Sequence, residues 1–263
     1  MRIITGTIVI IFLNLGYIIP AKAQLTGGGS TQENNESQSS GSLFERSGYL
    51  KVGWANPKGN FGTPAELGSN YNSIFSGEDG MGAQSGFAIS FEGVSPTNTL
   101  SRIANAKTQL GIKYGVQYTN NPVDWSNLGG GWETSTEYSS FHFLDLKLGA
   151  VYAIEPVNDF IIDLFYNPMF TLVIPGEWYY DGSITDEITP YDEYGELDVP
   201  FGLRHGIGFQ LRYNAFLFSV ETIWGSLDYN FYHTRTGSSS DEEWTYNNSL
   251  KNNSTLITFG LAF

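Results

Sequence analysis

Between Pro175 and Pro200 the chain carries eight carboxylates, Glu177, Asp181, Asp186, Glu187, Asp192, Glu193, Glu196 and Asp198, and no Lys or Arg. Trp178, Tyr179, Tyr180, Tyr191 and Tyr194 interleave with them. Hard divalent cations favour such oxygen clusters, and Asp186, Glu187, Asp192 and Glu193 are the candidate ligands for weakly bound surface Ca²⁺ or Mg²⁺. The D-x-D-x-D-G spacing of an EF-hand is missing, so a dedicated calcium cage is not expected. The plainer reading is a hydrated outer loop whose like charges keep it expanded.

Three histidines could do proton chemistry. His142 and His205 fall near the loop-side ends of apolar segments, where an amphipathic ring is at home without a catalytic role. His233 lies in Tyr232-His233-Thr234-Arg235-Thr236, followed by Ser238 to Ser240 and Asp241. These are the residue types of a hydrolytic triad without a triad's spacing, so no enzyme activity is expected. The glycine run Gly129 to Gly131, between Trp125 and Trp132, lacks the Lys-Ser/Thr that completes a phosphate-binding loop.

A third set of chemical residues is spread along the chain. Lys51, Glu92, Lys113, Asp145, Lys147, Asp163, Arg204, Arg212 and Glu221 each occupy the polar side of a segment that alternates apolar and polar residues. Five are positive and four negative. The clearest of these segments puts Leu110, Ile112, Tyr114, Val116 and Tyr118 on one face and Gln109, Gly111, Lys113, Gly115 and Gln117 on the other. A helix would mix these sets, so period two predicts a strand.

Eight such strands are predicted, centred on Val52, Ile89, Tyr114, Leu148, Leu164, Phe209, Val220 and Phe259. A bulge is expected at Pro168, which cannot donate to a ladder. Long loops, approximately 56–79, 119–137, 175–200 and 227–253, alternate with shorter links, of which Asn214-Ala215 is the tightest.

Two architectures share this alternation. A soluble barrel turns its apolar face inward. A membrane barrel turns it toward lipid and its polar face toward the lumen. Composition favours the second. Charged residues are 15%, aromatics also 15%, and glycines number 31. Such a chain has little solvating charge for an outer face. Large aromatics also fall near both strand ends. Trp54, Tyr118, Phe141, Phe201 and Trp224 lie toward the long loops, and Tyr152, Phe160, Tyr213, Phe216 and Phe263 toward the short turns, as two girdles would. The nine opposing charges then face a narrow lumen and must pair, which predicts a salt-bridge plug rather than an ion path.

Residues 1–23 read as a secretory signal, with Arg2, an apolar stretch from Ile3 to Ile19 and an Ala21-Lys22-Ala23 cleavage site. Residues 24–46 are expected to be a flexible polar leader, and 47–263 the barrel. Removing the signal takes away Arg2 and Lys22, leaving 11 basic and 27 acidic residues, or −16. So acidic a chain argues against nucleic-acid binding. The absence of cysteine excludes disulfides, thiolate metal sites and cysteine nucleophiles.

The segment Leu256-Ile257-Thr258-Phe259-Gly260-Leu261-Ala262-Phe263 ends in alternating apolar residues and a terminal Phe. With the signal and the eight strands, it resembles the small eight-stranded outer-membrane barrels of Gram-negative bacteria, of the OmpA-transmembrane and OmpX type. The resemblance covers about Gly48 to Phe263. The Ile-rich signal and acidic, Tyr-rich loops are similar to barrels of the Bacteroidota, including the PorT-like group. The resemblance implies an all-β, eight-stranded antiparallel up-and-down transmembrane barrel with both termini periplasmic. It also implies an assembly signal in Phe259, Leu261 and Phe263, read by the outer-membrane insertion machinery. Outer-membrane lipid and lipopolysaccharide are the expected neighbours, with a protein partner in a larger membrane complex a further possibility. The function expected is structural, adhesive or partner-binding, through the outer loops. Alternatives are an accessory barrel of a secretion or assembly complex, a lipid A-modifying enzyme and a small-solute channel.

Overall fold

The computed structural model describes residues 41–63, 82–124, 140–174, 178–180, 191–197, 201–237 and 241–263. Twelve strands form in these segments. They are β1 (Gly48–Lys58), β2 (Gly86–Pro96), β3 (Ser101–Ile103), β4 (Ala106–Pro122), β5 (Ser140–Val157), β6 (Phe160–Ile174), β7 (Trp178–Tyr180), β8 (Tyr191–Leu197), β9 (Phe201–Tyr213), β10 (Phe216–Gly237), β11 (Asp241–Lys251) and β12 (Asn253–Ala262).

Eight of them close a barrel in the order β1-β2-β4-β5-β6-β9-β10-β12, every neighbour antiparallel, with β12 pairing both β10 and β1. This is the predicted eight-stranded antiparallel barrel. The register fixes its shear. From Thr222 one path leads through Thr255 to Asn56. The other runs through Ile207, Tyr166, Ala150, Ile112 and Ser95, and continuing the β1–β2 register from Ser95 reaches position 46. The offset, 56 minus 46, is a shear of ten. With a rise of ~3.3 Å and a strand spacing of ~4.8 Å, eight strands of this shear tilt by roughly 40°.

Period two decides which side chains point where. Lys51 is buried between exposed Leu50 and Val52, and Lys147 between exposed Leu146 and Leu148. The wall is therefore apolar outside and charged inside. The tight turns are set by left-handed residues, Asp159 (φ 66°) between β5 and β6 and Asn214 (φ 55°) between β9 and β10. Asn and Asp tolerate this conformation better than other side chains. Ala104 (φ 53°) takes the same conformation in the β3–β4 hairpin without that advantage.

Three expectations are corrected. Pro168 carries no bulge. The β5–β6 register is the same on both sides of it, from Lys147↔Met169 to Ala150↔Tyr166, and only the pairs between drop out. The register shift falls instead between Ile154 and Val157, beside the turn. Toward β9 the ladder passes through Pro168 unbroken, so the missing N–H lies on the β5 side. Phe141 is not in the outer girdle. It points inward, 1% exposed, with its ring centroid 5.2 Å from that of Phe61. Residues 227–253 are not a plain loop either, because β10 continues to Gly237 and pairs with β11 through Thr236↔Asp241. On its other edge the same stretch of β10 pairs β8, which pairs β7.

Candidate functional site: the barrel lumen

The inward charges form three tiers along the axis. Near the turns, Arg212 grips Asp163 side-on, Nε to Oδ2 at 2.7 Å and Nη2 to Oδ1 at 2.8 Å, and Gln210 Nε2 adds 3.0 Å to Oδ2. Two parallel charge-assisted bonds make this a geometrically specific pair.

The middle tier holds three lysines and two glutamates. Lys147 Nζ joins them, 2.5 Å from Glu221 Oε2 and 3.4 Å from Glu92 Oε1, and donates to Gln117 Oε1 at 2.6 Å. Lys51 and Lys113 lie 2.7 and 3.0 Å from Glu92 Oε2. These two are charge contacts off hydrogen-bond alignment, and Lys113 completes its surroundings with the Phe165 ring, 3.6 Å below its ammonium. Asn167 Nδ2 donates to Glu221 Oε1 at 3.1 Å.

Toward the loops, Arg204 Nη2 meets Asp145 Oδ1 and Oδ2 at 2.7 and 2.8 Å, and its Nε donates to Thr171 Oγ1 at 3.0 Å. Thr171 Oγ1 in turn donates to Asp145 Oδ1 at 2.6 Å. Gln117 ties this tier to the middle one, because its Nε2 reaches Asp145 Oδ2 at 3.3 Å while its Oε1 serves Lys147.

All nine inward charges named from the sequence thus sit in the lumen, each within ion-pair distance of another. Glycine makes the space. A Cβ on Gly206 would collide with Glu221 Oε1, and one on Gly208 would stand 2.7 Å from Phe165 Cζ. Both ends are closed by apolar groups. Phe61, from the turn Gly59–Phe61 after β1, packs edge-on against Phe141 and Phe143 above Arg204, whose guanidinium lies 4.6 Å from the Phe143 centroid. At the other end Leu43 and Phe44, counted in the polar leader by the sequence reading, are buried.

Sequence reasoning missed these aromatic lids. The parity of β5 could have found two, since Phe141 and Phe143 share alternate positions with Asp145 and Lys147. Phe61, Leu43 and Phe44 lie outside the barrel strands, where no period marks them.

The other candidate residues are dispersed. Asp186 and Glu187 lie outside the described residues, as do 125–132. Asp192 and Glu193 are on β8, in register with Thr236 and Arg235 of β10. Arg235 is also opposite Glu242 of β11, so the fold brings a basic residue between two acidic strands. His233 is on β10, opposite Gly195 and Trp244. His142 and His205 sit on the outer wall, their Nδ1 atoms 2.6 Å from Tyr118 Oη and 2.9 Å from Tyr166 Oη. Phe259, Leu261 and Phe263 face outward, and Phe263 closes the seam through reciprocal backbone bonds with Gly48 at 2.9 and 3.1 Å. Among the described residues, no group of three or more His, Asp or Glu could hold a metal ion.

Chemically, the lumen is a set of opposed acidic and basic groups, cross-tied and capped at both ends. No protein-family model matches the chain, and no curated protein matches it.

Proposed function

We propose that the chain is a transmembrane barrel of a bacterial outer membrane whose wall is a support and whose loop-side extension makes the contacts. The observation that carries this reading is the inversion of the wall. Leu50, Val52, Leu146, Leu148, Leu203 and Ile207 are exposed, while Lys, Arg, Asp and Glu are buried inside. In water this arrangement wastes apolar burial and desolvates charge. In lipid it is the favourable one, and a closed ladder leaves no unpaired edge.

Register adds a second support. With a shear of ten, Trp54, Tyr118, His205 and Trp224 fall within about 4 Å of one height. Tyr152, Phe160, Tyr213, Phe216 and Phe263 gather roughly 20 Å below, comparable to the ~25 Å apolar band between the girdles of such barrels.

The role of the loops rests on the sheet that continues past the rim. β10 runs twelve residues beyond Gly225, about 40 Å of strand, flanked by β8 and β11. Such a projecting, acidic and Tyr-rich sheet suits adhesion or docking of a partner. Membrane fractionation and circular dichroism of the detergent-extracted protein test the first part, with a heat-modifiable β-rich band as the expected result. A water-soluble product would end this reading. A pull-down from native membranes with and without residues 228–250 tests the second part, and partners retained equally by both forms would refute it.

A further inference from the structure

The turn end of the lumen is built to hold a peptide backbone. Leu43 is held at both main-chain polar groups. Its N–H donates to Gln109 Oε1 at 2.8 Å, and its C=O accepts from Arg212 Nη1 at 2.9 Å. Ser42 Oγ donates to the same Gln109 oxygen at 2.9 Å and accepts the Phe44 N–H at 3.1 Å. The clamp is itself held in place. Gln109 Nε2 donates to Asn98 O at 3.0 Å, and Arg212 is fixed by Asp163. Both clamp side chains are 4% exposed.

The side chains between the clamps are also received. Leu43 and Phe44 join the apolar cluster of Tyr49, Val94, Ala153 and Phe165. Gly111 keeps the floor open, since a Cβ there would stand 3.1 Å from Phe44 Cε2. The Arg212 guanidinium lies 5.4 Å from the Phe44 ring. The two clamp residues come from far along the chain. Gln109 is 66 positions away from Leu43, and Arg212 is 169.

Ser42 to Glu45 form a turn, closed by the Glu45 N–H on Ser42 O at 3.3 Å. A donor and an acceptor placed for the C=O and N–H of one turn residue, beside an apolar pocket, amount to a receptor for a short peptide turn. We propose that the turn end of this barrel is a short-peptide binding site, that the chain fills it with its own Ser42-Leu43-Phe44, and that this insertion seals the lumen at that end. Residues 41–46 contribute no barrel strand, so their withdrawal leaves the eight-stranded ladder intact and uncovers the Arg212–Asp163 tier. The proposal stands whether or not the outer wall faces lipid.

The test uses the full-length chain in detergent. It has no cysteine, so Ala153→Cys provides a single thiol in the pocket, with Ala262→Cys as a second choice of site. In the otherwise unaltered chain the thiol should resist a water-soluble maleimide, and the Leu43 amide should exchange at least about tenfold more slowly than in the free peptide. Leu43→Asp with Phe44→Asp should expose the thiol and abolish the protection, with the barrel's circular dichroism and heat-modifiability unchanged. A synthetic peptide of residues 41 to 47, added to that variant, should restore resistance, and the same peptide with Leu43→Asp should not. Peptide-like exchange of Leu43 in the unaltered chain would overturn the proposal, as would equal labelling with and without the substitutions. If the double variant fails to fold, Gln109→Leu provides the alternative, and unchanged Leu43 exchange there would count against the clamp.

Discussion

The inner and outer walls of the barrel are made by the same eight strands, yet they obey opposite rules. Leu148 is 63% exposed, and Lys147 beside it is 3% exposed and meets two carboxylates. One residue of strand separates an apolar surface from a paired charge. The difference teaches that this sequence encodes a side for every residue rather than a hydrophobic centre. Stability then depends on what each side meets, counter-charge within and, in the proposed setting, lipid without.

The largest expected effect of a single substitution is on the inner wall. Asp145→Ala strands the Arg204 guanidinium in the lumen and should cost about 3–5 kcal/mol, because one partner of a buried pair is left uncompensated. Reversible urea unfolding in lipid vesicles measures it, and a loss below ~1 kcal/mol would mean that water reaches the tier. On the outer wall, Leu148→Arg should cost roughly 2–4 kcal/mol in a bilayer. Almost no change there would break the comparison, because it would show the exterior facing water. Replacing the pair together, Asp145→Leu with Arg204→Met, sharpens it. The double variant should recover most of the Asp145→Ala loss, since removing both charges also removes their desolvation. Strict additivity of the two single effects in a double-mutant cycle would refute a direct pair. The smallest effect is at the turn. Ala104→Gly should stabilise by about 0.5–1 kcal/mol, because glycine takes φ 53° without strain, and a shift of that size in the unfolding midpoint would register it.

The strands were legible because period two survives in a chain with few competing signals. Gln109 to Tyr118 alternate cleanly, and so do Phe201 to Tyr213 apart from His205. The same parity placed the nine charges on one side. It could not say which would meet, because pairing depends on angular position around the barrel. Lys147 on β5 reaches Glu92 on β2 and Glu221 on β10, neither of them a strand neighbour of β5. Nor could it find the lids. Phe61 and Leu43 enter the lumen from segments without alternation, and their burial depends on an opening that exists only once the wall is closed. Pro168 misled for a related reason. A missing donor can be carried by one ladder while the other continues, so no bulge was required.

The seam between β1 and β12 has a kinetic consequence. It joins Gly48 to Phe263, a separation of 263 minus 48, or 215 residues, through a ladder that runs to Lys58↔Asn253. Bringing such distant ends together costs about 5 kcal/mol of chain entropy, growing only as the logarithm of length. That cost falls due before any seam bond repays it, so this topology belongs with the slow, non-local folders. A nascent chain whose β12 has not yet emerged carries two unsealed flanks, and each is a template for aggregation. The wall therefore cannot close before β12 has been made, and losing the last few residues of that strand is expected to be far more damaging than an equally short deletion inside a loop.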